Sequence, residues 1–147
     1  MAIADFDNVG GFALLPAGTY LVRISKVERK QAKSSGAPML AWTAIVVEGP
    51  QMGSMVGDYT TLTDAAIWKA TKLIKFAGVD IGGRVDTDSS LFTGAVNACV
   101  GQTMYWNLTQ ETTTQGNLVN KVDGYSPDPN QQKVSLTQDD VPSFLKE

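Results

Sequence analysis

The alternation of apolar and polar positions predicts a chain built mostly of β-strands. Over residues 19–30, Tyr20, Val22 and Ile24 alternate with Leu21, Arg23 and Ser25, the period of two expected of a half-buried strand. The apolar set then shifts by one position, to Val27. That shift predicts a bulge at Ser25-Lys26, the device by which small barrels bend a strand round a corner. A polar turn at 33–38 carries Gly36 and Pro38, which suit a reversal of the chain. Residues 39–47 follow, apolar on both faces, and predict a central strand covered on both sides. Residues 18–47 therefore read as one long hairpin around which the rest is arranged. Further strands are predicted at 56–62, 95–100, 103–109 and 118–125. Met104, Trp106 and Leu108 share one face of their strand, and a polar loop at 111–117 joins it to the return strand.

One helix is predicted, over 63–77. Thr63 or Asp64 can cap its start, and Gly78 stands where a left-handed C-terminal residue is expected. Ala66, Ile67, Ala70, Leu73, Ile74 and Ala77 fall on one face, the core stripe. Trp68 falls opposite, between Lys72 and Lys75. Residues 1–17 read as an irregular lead-in and 78–94 as a linking segment. Five or six strands, with a single helix after the third, fit a mainly β fold. The expected architecture is a small five-stranded Greek-key barrel of the OB type, with one helix between strands three and four; an open sandwich would give similar strands. The expected division is a domain at 1–125 and a flexible acidic tail at 126–147, rich in Pro, Asp, Asn and Gln.

Composition narrows the chemistry. The 147 residues are 43% hydrophobic and 18% charged, enough for one domain with a sizeable core. No window of 18 apolar residues predicts a membrane span. The first 22 residues hold Asp5 and Asp7 but no cation, unlike a secretory leader, so a cytoplasmic location is expected. Cys99 is the single cysteine. It cannot form an internal disulfide, and its apolar setting (VNACV) predicts burial. There is no histidine, which removes Ser-His-Asp triads, His acid–base chemistry and nearly every transition-metal site. Residues 49–53 lack the Lys and Ser/Thr of a phosphate-binding loop. Asp86-Thr87-Asp88 lacks the continuation of a calcium loop. No enzyme, cofactor or metal is expected.

The formal net charge of −3 hides an asymmetry. Residues 18–75 hold eight cations against four acids, while the last 20 residues hold four acids against two cations. Arg23, Lys26, Arg29, Lys30 and Lys33 lie along the first arm of the hairpin with Glu28 as the lone acid. Such a row can follow a phosphate backbone, with salt-dependent affinity. It can equally be a solvated strand face whose lysines deter edge pairing. Single-stranded nucleic acid is held by cations on the backbone and flat rings under the bases, each stack contributing about 1–3 kcal/mol. Trp42, Tyr59 and Trp106 are the candidate rings; core packing is the competing role for each. Trp68 can pack under a neighbouring segment, meet a second subunit or touch nucleic acid. In the tail, Asp139 and Asp140 precede Phe144. Carboxylates followed by an apolar anchor suit docking into a basic-rimmed pocket of a partner, or the tail has no such role.

Several motifs in order carry a family resemblance. They are Gly18-Thr19-Tyr20, the run from Lys33 through Gly36 and Pro38 to Met39-Leu40, Ala66-Ile67-Trp68 leading to Gly78, and the Gly94 to Gly101 element. Over roughly residues 15–125 the chain resembles the bacteriophage single-stranded DNA-binding proteins of the DUF669-like group. The resemblance implies an OB barrel that coats single-stranded DNA during phage replication or recombination. It also implies an acidic tail that recruits replication or recombination proteins, although this chain ends in Phe-Leu-Lys-Glu rather than in a dense acidic run. The expected function is sequence-tolerant binding of single-stranded DNA. The alternative is a non-catalytic phage structural or adaptor protein that binds other proteins.

Overall fold

A computed structural model of the chain describes residues 14–32, 36–83 and 85–136. The predicted hairpin is present as β1 (Gly18–Gln31) and β2 (Pro38–Val46), followed by β3 (Met55–Thr61). Helix α1 (Ile67–Phe76), the short β4 (Val79–Asp80) and a second helix, α2 (Ser90–Ala98), come next. The chain continues through β5 (Thr103–Thr112), β6 (Leu118–Pro127) and a short β7 (Val134–Ser135). Five strands form one antiparallel sheet in the order β3-β2-β1-β5-β6, and β4 pairs with β7 in parallel.

The bulge falls where the phase shift predicts it: Ile24 stands opposite Ala44, and the next partnered residue, Lys26, opposite Thr43. Ser25 is the extra residue, and its hydroxyl donates to the Thr43 carbonyl at 3.1 Å. On the near side of the bulge β1 pairs with β5, and through and beyond it with β2. The bend lets one strand serve both halves of the sheet.

The sheet does not close through backbone pairing, in contrast to the expected barrel. β3 and β6 are its two edges. They meet instead through side chains: the Tyr125 hydroxyl donates to the Asp58 carboxylate. The interior is filled by alternate residues of the strands, among them Val22, Ile24, Trp42, Met104, Trp106 and Leu108. Ala70, Leu73, Ile74 and Ala77 complete it from the side of α1, four of the six residues of the predicted stripe. No helix among the described residues is long and apolar enough to cross a membrane.

Three expectations are corrected. First, residues 95–98, expected as part of a strand, close α2. The Ser89 hydroxyl accepts from the Phe92 N–H and caps the helix, and Phe92, Ala95, Val96 and Cys99 are buried at helical spacing. Second, α1 begins at Ile67 without a side-chain cap, because the Thr63 carbonyl takes the N–H groups of Ala66 and Ile67 in a preceding turn. Third, ordered structure continues past residue 125. Gln131 is buried and donates to the Phe76 carbonyl at 2.9 Å. Gln102 donates to the Ala77 carbonyl at 2.9 Å. These amides satisfy the carbonyls that the end of a helix leaves open. Buried Asp128 accepts from the Thr103 hydroxyl at 2.7 Å. Polar composition here marks a strap of side-chain hydrogen bonds rather than a linker. Gly78, at φ +90, turns the chain out of α1, and a Cβ on it would lie 3.0 Å from the Gln131 side chain.

Candidate functional site

The outer face of the β1-β2-β3 half carries an open groove of about 720 Å³. Its making follows from register. Lys26 stands opposite Thr43 and Thr43 opposite Gly57; Glu28 stands opposite Ala41 and Ala41 opposite Tyr59. Directly paired residues point to the same side of a sheet. Ala41 therefore lies between Glu28 and the ring of Tyr59, and Gly57 leaves the neighbouring position beside that ring open. The hairpin β5-β6 supplies further lining through Glu111, Leu118, Val119, Asn120 and Lys121. The sequence predicts β2 to be covered on both faces. Instead its core face carries Leu40, Trp42, Ala44 and Val46, all buried, while Ala41 and Thr43 are half-buried at the groove.

Charge in the groove is balanced rather than massed. Lys26 and Lys30 both reach Glu28, at 2.6 and 3.4 Å. Hydrogen bonds from these two ammonium groups, and their charge, hold the Glu28 carboxyl below the usual value. All three side chains are well exposed, so these ion pairs are cheap to exchange for a phosphate. Lys121 lies 4.0 Å from Glu111 across the β5-β6 hairpin.

The predicted site residues divide sharply. Lys26, Lys30 and Tyr59 are brought together at the groove, and Tyr59 is 58% exposed. Arg23 is exposed on β1, outside the groove lining. Arg29 turns away: its guanidinium donates to the Thr87 carbonyl at 2.7 Å and pairs with Asp88 at 2.8 Å. It anchors the segment before α2 and does not join the other cations. Trp42 and Trp106 are 1% and 0% exposed; neither has a face to offer a base. The Trp42 indole N–H donates to the Thr60 hydroxyl at 2.9 Å, and Trp106 packs against Tyr125 with ring centres 6.2 Å apart. Lys33, Asp139, Asp140 and Phe144 lie outside the described residues. Sequence reasoning missed Lys121 and the apolar pair Leu118-Val119. The available signal was the isolated lysine on the return strand, set beside two residues that no core stripe claimed.

Behind the groove wall, Asp58 is 8% exposed and takes three partners: the Tyr125 hydroxyl, the Lys69 ammonium at 3.0 Å and the Tyr59 N–H at 2.9 Å. Burial raises its carboxyl above the usual value despite these partners. Burial and the neighbouring carboxylate also raise the Tyr125 hydroxyl, which stays protonated and donating. Because the folded carboxyl binds its proton more tightly than the unfolded one, its ionisation works against folding. The contribution is most favourable below the ordinary aspartate range and is lost as pH rises through the raised folded value. Asp58→Asn removes this slope. Urea denaturation between about pH 4 and 7 is expected to show wild type losing ground to the variant as pH rises; a gap that is flat or opens the other way would refute the assignment.

The family model described as "Protein of unknown function (DUF669)" matches residues 3–137. The chain belongs to the DUF669 family. The match takes in every described strand and helix, so the groove, its rim and the strap after β6 all lie within the DUF669 span. No curated protein matches the chain. Membership in DUF669 agrees with the resemblance of the sequence and carries no activity with it.

Proposed function

We propose that the protein binds single-stranded DNA without sequence preference and without catalysis, in the groove between Tyr59 and the β5-β6 hairpin. The observation that carries this reading is an exposed tyrosine, Tyr59, that lines the same groove as Lys26 and Lys30, the two lysines that flank Glu28 opposite it across Ala41. A flat ring for a base beside cations for phosphates is the combination that holds single strands, and it reads no base edge. The strand order, with a helix after β3 and the two sheet edges meeting at Asp58 and Tyr125, supports an OB-type assignment. In that fold the face of strands two and three and the adjoining loops take oligonucleotides. The resemblance of the sequence adds the setting: coating of exposed strands in phage replication or recombination, in the host cytoplasm. The adaptor alternative is favoured by one observation, the exposed apolar lip of Leu118 and Val119, which would suit a protein segment.

A fluorescence-anisotropy titration with labelled oligo-dT at two salt concentrations tests the reading. Micromolar or tighter binding at low salt is expected. If Lys26, Lys30 and Lys121 each meet one phosphate, log K falls against log salt with a slope of about −2. No micromolar binding at low salt, or binding without a salt slope, would reject it in favour of the adaptor.

A further inference from the structure

The outward face of α1 carries a feature that neither the core nor the groove uses. Trp68 is 59% exposed, and the Lys72 ammonium stands 5.4 Å from its ring centre. Lys75 continues the same stripe, so ring and cations recur at positions i, i+4 and i+7, one face of a helix. They cover about 10 Å of helix surface. α1 contains no acid, and Lys69, its remaining cation, is occupied by Asp58. That ion pair also ties the helix that carries the stripe to β3. Lys69 reaches Asp58 at 3.0 Å and the Tyr59 carbonyl at 3.5 Å, tying the first turn of the helix to the groove wall. Trp68 is the adjacent residue, about 3.8 Å away along the chain.

We propose that Trp68, Lys72 and Lys75 form a second station for the DNA strand that leaves the groove past Tyr59. Trp68 stacks one base, and Lys72 and Lys75 take the flanking phosphates. The inference rests on the groove reading above. Charge selects the occupant: a stripe of one ring and two ammonium groups, with no acid on its helix, suits a polyanion bearing flat rings better than an apolar protein face. The tie between Lys69 and Asp58 sets α1 against the strand that bears Tyr59, and the DNA held there is the nearest polyanion.

The test uses the full chain and unlabelled oligo-dT of about 4 to about 16 nucleotides, the span of site sizes for one OB-type domain. Tryptophan emission is the readout; Trp42 and Trp106 are buried, so quenching reports Trp68. Short oligomers are expected to bind without quenching and longer ones to quench. Trp68→Phe should abolish the quenching. Trp68→Ala should weaken long oligomers about 5- to 150-fold and leave short ones unchanged. Joint replacement of Lys72 and Lys75 by Gln should reduce the salt slope for long oligomers by about 0.7 for each phosphate left without its ammonium group. Circular dichroism and a melting curve confirm that each variant is folded. Equal weakening at every length, no weakening at any, or quenching that persists in Trp68→Phe overturns the second station while leaving the groove intact. Absence of binding at every length in the wild type overturns the groove, and the station with it.

Discussion

Trp42→Ala is expected to destabilise the fold by about 3–5 kcal/mol, the cost of emptying a large aromatic site in a packed core. The side chain is 1% exposed, and its indole N–H is bonded to the buried Thr60 hydroxyl. Truncation leaves both a cavity and a stranded hydroxyl. Against a typical stability of about 5–15 kcal/mol, such a loss places the variant near unfolding at room temperature. Urea denaturation followed by circular dichroism measures it. Trp42→Phe, which keeps most of the volume, should lose clearly less. A Trp42→Ala protein of unchanged stability that no longer bound DNA would return Trp42 to the role of base platform and reject the buried assignment.

Tyr59→Ala is expected to do the reverse. Tyr59 is 58% exposed and its ring is not needed by the core, so the melting temperature should scarcely change. Oligo-dT affinity should fall by about 1–3 kcal/mol, or about 5- to 150-fold, through loss of one stacked base. Tyr59→Phe retains the ring face and should keep most of the affinity. Anisotropy titration beside a melting curve separates the two effects. Undiminished affinity in Tyr59→Ala would mean that the groove does not hold bases on this ring. The two tyrosine variants and the two Trp42 variants together test whether recognition and stability are assigned to different aromatic residues.

Much of the scaffold is legible from period alone. The hairpin, the bulge, the core face of β5 and most of the α1 stripe each repeat over enough residues to fix a phase. What period cannot give is which face of an element is covered. β2 is apolar at nearly every position, so nothing in it distinguishes the groove side from the core side, and by sequence Trp42 falls among the candidate base platforms. Arg29 shows the same limit: a cation in a basic row looks like its neighbours until Asp88, distant in sequence, is seen to claim it. α2 escapes detection because VNACV is too short an apolar run to separate strand from helix. The cap at Ser89 and the spacing from Phe92 to Cys99 hold the deciding signal. The strap at 128–136 is hidden by its composition. Its polar side chains are used inside the fold, where they complete the end of α1 and the start of β5.

One extra residue determines which chemistry the groove displays. Side chains on a strand alternate strictly, so changing the count by one exchanges the two faces of everything downstream. In β1 that count is set at Ser25. Were Ser25 paired as an ordinary strand residue, with no bulge, Lys26, Glu28 and Lys30 would point into the interior beside Trp42, and Val27 would face the water. The polarity of the groove thus depends on the bulge at Ser25 as well as on its own lining. Deletion of Ser25 would leave Lys26 opposite Thr43 and both faces as they are, at the cost of the bend, whereas closing the bulge with Ser25 kept in the ladder would exchange binding face and core along the rest of the strand.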